Sequence, residues 1–101
     1  MAAYMIIYAR IHDREKFVSG YAPAASALVE KFGGRYVLRA PGADVLEGSV
    51  DAGGSVVISE WPDKAAAEAF WNSPEYAEAK QLRNGVADVE VLLVEGPTIN
   101  G

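Results

Sequence analysis

The sequence predicts an α+β sandwich in which helices cover one face of a four-stranded antiparallel sheet. Three observations predict it. Strand-like and helix-like patterns alternate in the order strand, helix, strand, strand, helix, strand. The chain has 101 residues, 50% of them hydrophobic, and a domain of this size buries about two-thirds of its unfolded surface, enough for one core without staples. The strand segments are also apolar on both sides, although helices can cover only one.

Each element has a local cause. Residues 4 to 11, Tyr-Met-Ile-Ile-Tyr-Ala-Arg-Ile, are rich in β-branched and aromatic side chains and predict the first strand. Asp13 is the expected N-cap of the following helix, with Glu15 on the positive end of its dipole. Phe17, Tyr21, Ala25, Leu28 and Phe32 keep helical spacing. Pro23 interrupts them, so a kink is expected near Gly20 to Ala22, with a second segment starting at Pro23. Gly33-Gly34 ends it.

Arg35 to Arg39 predicts a second strand, interrupted by Pro41-Gly42 and resumed at Val45-Leu46-Glu47. The proline places this strand at the rim of the sheet. Ser55 to Trp61 is the third strand, and Asp63 caps a helix that reaches Trp71. Ser73-Pro74-Glu75 restarts the helix with a cap, a first-turn proline and an acidic residue, and Asn84-Gly85 stops it after about Arg83. Asp88 to Glu95 is the last strand. Right-handed crossovers turn this order into two interleaved βαβ units, a single ferredoxin-like βαββαβ domain over residues 1–101.

The face without helices carries the main functional expectation. Tyr4, Ile6 and Tyr8 are nearly as apolar as Met5, Ile7, Ala9 and Ile11 on the other side of the first strand. Val56 and Ile58 oppose Val57 and Trp61, and Leu92 and Val94 oppose Val89, Val91 and Leu93. A second copy of the chain is the expected cover, in a two-fold homodimer packed sheet to sheet. The competing reading is a monomer whose open face binds an extended peptide or nucleotide, with Tyr4, Tyr8 and Trp61 as stacking platforms. The 14 acidic against 9 basic residues and the net charge of −5 argue against nucleic acid.

The chain resembles the domain of unknown function 1330 family, small members of the dimeric α/β-barrel superfamily. The resemblance rests on Lys31-Phe32-Gly33-Gly34-Arg35-Tyr36-Val37-Leu38-Arg39, Val45-Leu46-Glu47-Gly48 and Val56-Val57-Ile58-Ser59-Glu60-Trp61-Pro62. It continues through Trp71-Asn72-Ser73-Pro74-Glu75-Tyr76 to Leu82-Arg83. It implies a ferredoxin-like subunit pairing sheet to sheet and implies no settled activity. The wider superfamily implies, by resemblance alone, cofactor-independent proton transfer or oxygenation.

Glu60 is the leading catalytic candidate. By alternation it shares a side with Val56 and Ile58, where desolvation would raise its pKa and suit it to acid–base work. A structural ion pair with Arg35 or Arg39, read as lying on one side of their strand, is the competing and weightier reading. His12, the single histidine, is a secondary proton carrier or a solvated turn residue. Arg39 and Arg10 are candidate anion contacts. Tyr8, Tyr21, Trp71 and Tyr76 are candidate ligand-binding aromatics, each equally able to serve as core.

One histidine and no cysteine exclude the usual metal sites and any disulfide or cysteine nucleophile. No GxSxG, Walker or GxGxxG motif is present, so no cofactor is expected. No apolar run approaches the roughly 20 residues of a membrane span, and Met1-Ala2-Ala3-Tyr4 lacks a basic n-region, so a cytoplasmic location is expected. The expectation is a homodimer that binds, and as an enzyme would transform, a small aromatic or carbonyl metabolite. The alternative is a non-enzymatic binding or accessory dimer.

Overall fold

The computed structural model describes residues 1–99. Strand β1 (Ala3–Ile11) leads through α1 (Arg14–Lys16) and a π-helical turn (Phe17–Tyr21) into α2 (Ala22–Lys31). Strands β2 (Arg35–Ala40) and β3 (Ser55–Trp61) come next, then α3 (Lys64–Trp71), α4 (Pro74–Lys80), a 3₁₀ turn (Gln81–Arg83) and β4 (Ala87–Glu95). The sheet order is β2-β3-β1-β4 with every neighbouring pair antiparallel. This is the ferredoxin-like arrangement: each βαβ crossover skips one strand and leaves room for another. The molecule measures 36 × 35 × 17 Å, a slab with one sheet layer and one helical layer. No helix among the described residues is long and apolar enough to cross a membrane.

The caps form where their chemistry places them. Asp13 accepts from the Lys16 N–H at 3.1 Å, Asp63 from the Ala66 N–H at 2.8 Å, and the Ser73 hydroxyl from the Tyr76 N–H at 3.0 Å. The helix does not break at Pro23. Ala22 donates to the Phe17 carbonyl, widening one turn by a residue, and α2 starts at Ala22. The widened turn absorbs the missing N–H and the ring bulk of Pro23 without interrupting the helix.

The core is aromatic. Trp61, 1% exposed, lies 5.0 Å from Phe70, which lies 4.4 Å from Tyr76, ring centre to ring centre. Met5, Val29 and Ala67 fill in around them. The Trp61 indole donates to the buried Ser59 hydroxyl at 3.0 Å. Gly34 lets the chain pass over this indole: a Cβ there would stand 2.8 Å from three ring carbons.

Two features of the edge strand depart from the sequence expectation. Val45-Leu46-Glu47 does not resume β2; the whole stretch 41–54 is loop, its base tied by Ala43 N–H to Gly54 O (2.8 Å) and Gly53 N–H to Ala43 O (2.9 Å). A β-bulge lies between Tyr36 and Leu38. Arg35 pairs with Glu60 and Tyr36 with Ser59, but Leu38 pairs with Ile58 and Arg39 with Val57. The extra residue reverses the facing of the rest of the strand. Arg35 and Leu38 therefore lie on the bare face, and Tyr36 and Arg39 on the helix side. Arg35 and Arg39 do not share a side.

Candidate functional site

The helix side of the sheet does not close completely. A cavity of about 290 Å³ lies between it and the segment Arg14–Ala25. Its floor is Ile7, Ala9 and Ile11 of β1 with Ser55 and Val57 of β3 and Val89 of β4. Its roof is Phe17, Tyr21, Ala22 and Ala25, and its side wall is Tyr36, Arg39, Ala40 and Pro41. Small residues make the space: Ala9, Ala22, Ala25 and Ala40 stand where longer side chains would fill it. Arg14, Arg39 and Pro41 are exposed and mark the rim.

The π-helical turn and the bulge supply the polar groups. The wide turn sets the rings of Phe17 and Tyr21 5.3 Å apart, both against the cavity. The bulge brings Arg39 to the helix side, its guanidinium carbon 4.7 Å from the centre of the Tyr36 ring. Deeper in, a recess of about 20 Å³ shares Ile7, Tyr21, Ala25, Tyr36 and Val89 with the main cavity and is also lined by Trp71 and Tyr76. There the Tyr21 and Tyr76 hydroxyls are 2.7 Å apart. Burial pushes the Tyr21 phenol well above its ordinary pKa, with the Tyr76 hydroxyl adding to the effect and Arg83 opposing it. Burial also raises Tyr36, against the pull of Arg39.

Of the residues singled out from the sequence, the fold brings Arg39 and Tyr21 to the cavity and Trp71 and Tyr76 to its recess. Trp71 is half-buried, 5.2 Å from Tyr76 and capped by the Lys80 ammonium at 4.5 Å from its ring centre. Glu60, Tyr8 and Arg10 lie elsewhere, on the bare face. Glu60 accepts from Arg35 Nε at 2.8 Å, Arg35 Nη2 at 2.5 Å and the Tyr4 hydroxyl at 3.0 Å. The Arg35 bonds first, and the Tyr4 bond second, hold its carboxyl below the usual range, the opposite of the shift a general base needs. The Tyr8 hydroxyl donates to the Asp51 carbonyl and accepts from the Gly54 N–H at 3.1 Å, pinning the 41–54 loop. Arg10 stands 3.9 Å from Asp51 and 3.7 Å from Glu90. His12 lies at the end of β1, its Nε2 2.8 Å from Asp88 Oδ2, and does not line the cavity. Sequence reasoning missed Arg14, Phe17, Tyr36 and Ser55. Helical spacing relates Arg14, Phe17 and Tyr21 and could have grouped them; the facing of Tyr36 relative to Arg39 depends on the bulge. Among the described residues no group of three His, Cys, Asp or Glu side chains could hold a metal ion.

Residues 2–97 match the family described as Domain of unknown function (DUF1330). The chain belongs to that family. No curated protein matches it. Among solved structures, this DUF1330 chain is similar to a protein of unknown function from Rhodopseudomonas palustris, with 21% identity, TM-score 0.76, and 96% of this chain and 83% of that one covered. It is similar to a dimeric ferredoxin-like protein of unknown function from Jannaschia sp. CCS1, with 14% identity, TM-score 0.72, and 95% and 100% covered. It is also similar to SnoaB, a cofactor-independent oxygenase from Streptomyces nogalater, with 17% identity, TM-score 0.68, and 96% and 94% covered. At these identities the likeness is one of fold.

Proposed function

We propose that this DUF1330 protein is a homodimer in which each subunit binds a small aromatic or carbonyl-bearing metabolite between its sheet and its helices. The observation that carries the reading is the cavity of about 290 Å³ with apolar walls and a few convergent polar groups, the ordinary form of a small-molecule site. An apolar cavity of about 150 Å³ already accepts benzene, so one substituted ring fits. Titration of the isotopically labelled protein with simple ring carbonyl compounds tests it by NMR. Shifts concentrated at Tyr21, Ala25, Tyr36 and Val57 are expected. No response at millimolar ligand, or one confined to Tyr4, Ile58 and Leu92 on the opposite face, would overturn it.

The dimer is supported by the bare face. Leu38, Leu92 and Val94 are 43%, 63% and 47% exposed there, beside half-buried Ile6, Val56 and Ile58. The subunit exposes 6474 Å², against roughly 5,500 Å² for a typical monomer of this mass. Part of that excess lies on this face, and a standard interface would bury ~800 Å² of each partner. Sedimentation at micromolar concentration is expected to give the mass of two subunits, and a single subunit would remove the dimer from the proposal.

A second reading, in which the bound molecule is oxygenated or undergoes proton transfer without a cofactor, draws on the fold shared with SnoaB. In that reading the acid–base group is one of the cavity's own polar side chains, Arg14, Tyr21, Tyr36, Arg39 or Ser55, since Glu60 and His12 are outside the cavity.

A further inference from the structure

Four of the five arginines divide by sheet face; the fifth, Arg83, has its guanidinium carbon 5.5 Å from the centre of the Tyr21 ring. On the bare face, Arg10 and Arg35 stand beside carboxylates, Asp51 and Glu90 for the first and Glu60 for the second. At the cavity rim, Arg14 and Arg39 have no carboxylate within ion-pair distance among the described residues, and no Asp or Glu lines the cavity. In a chain of net charge −5, two guanidinium groups without counter-ions at the mouth of an apolar cavity reverse the prevailing sign. A guanidinium matches a carboxylate through two parallel hydrogen bonds.

The inner end carries a second asymmetry. The Tyr21 and Tyr76 hydroxyls hold two protons between them, and the 2.7 Å bond that joins them uses one. Neither has another protein partner, and the Tyr36 hydroxyl has none at all, among the described residues. Since burial raises Tyr21 and Tyr36, these phenols remain protonated at neutral pH. Hydrogen-bond donors therefore await acceptors at both ends of an apolar space.

We infer that the cavity takes a ring-bearing carboxylate, with the carboxylate on Arg14 and Arg39 at the rim and a carbonyl oxygen on the free phenol proton of Tyr21 or Tyr36 within. The inference rests on the small-molecule reading above and names its ligand class.

Calorimetric titration of the wild-type protein with 4-acetylbenzoate, benzoate and methyl 4-acetylbenzoate tests it. The acid is expected to bind at least about tenfold more tightly than its neutral ester, the discrimination of one charge-assisted contact. Arg14→Gln with Arg39→Gln should remove most of that ratio by weakening acid binding far more than ester binding. Tyr21→Phe with Tyr36→Phe should narrow the preference for 4-acetylbenzoate over benzoate. Ester binding as tight as acid binding would overturn the carboxylate inference and leave the small-molecule reading standing. An acid preference that survives the double arginine variant would overturn it too. Binding of none of the three probes would overturn both. The wild-type acid-to-ester ratio needs no variant, so the test holds even if a substituted chain fails to fold.

Discussion

Arg35 and Arg39, four positions apart in one edge strand, emerge on opposite faces of the sheet. Arg35 is opposite Glu60 and bonds to it; Arg39 is opposite Val57 and lies over Tyr36. One extra residue between them gives the first arginine a structural partner and leaves the second free at the cavity.

Glu60→Gln probes that pair. The Arg35 and Tyr4 bonds lower the folded pKa of Glu60, so its contribution is present above the ordinary carboxylate pKa and is lost as pH falls through the lowered folded value. The variant is expected to have a modestly lower Tm at pH 7, with the difference shrinking in high salt and vanishing well below about pH 4. Thermal unfolding monitored by circular dichroism at the two pH values measures it. Ligand binding in the cavity should not change.

Gly34→Ala places a Cβ 2.8 Å from the Trp61 indole and should destabilise by about 1–3 kcal/mol through overpacking. Gly20→Ala meets nothing within 4 Å and should be neutral or stabilise by up to about 1 kcal/mol, because alanine favours helix. Urea titration of both variants checks the contrast.

Ser59→Ala leaves the Trp61 indole N–H without its acceptor in the core. A loss of about 1–3 kcal/mol is expected, the cost of an unpaired buried donor. Equilibrium denaturation read by tryptophan fluorescence reports it directly.

Alkaline titration should resolve the buried phenols. Burial raises Tyr21 first and foremost, and Tyr36 as well. Their stabilising contribution is complete below the unfolded tyrosine pKa of about 10 and is lost as pH rises toward the folded values. Absorbance at alkaline pH should therefore show Tyr21 and Tyr36 ionising later than a free phenol. In Tyr76→Phe, the Tyr21 shift should be smaller.

Leu92→Glu puts a charge on the most exposed apolar position of the bare sheet face. Association should weaken at least tenfold, because burying an unpaired carboxylate is costly. The subunit should keep its far-ultraviolet spectrum. Sedimentation equilibrium against the wild type gives the answer.

The element order, the three helix caps and the edge position of β2 were legible because each has a local chemical cause: Asp13, Asp63, Ser73-Pro74 and Pro41 act on their immediate neighbours. The two apolar faces were legible from alternation. The features that were not legible depend on distant partners. Nothing in Arg35-Tyr36-Val37-Leu38-Arg39 marks an extra residue; pairing with β3 creates it. Val45-Leu46-Glu47 has the composition of a strand but no neighbouring strand to join. Pro23 announced a disturbance of the helix, but a widened turn and a break have the same sequence signature. Glu60 was legible as a residue with two competing roles, and only the neighbouring Arg35 and Tyr4 decide its protonation.

Strand β1 contributes Ile7, Ala9 and Ile11 to the cavity floor, while Ile6, Tyr8 and Arg10 point the other way. Pocket and bare flank are thus the two sides of a single partition, one peptide backbone thick. In the proposed dimer, a molecule seated against Ile7 and a copy resting on Ile6 would press on adjacent links of the same chain, so each would have to fit the strand in the position the other leaves it.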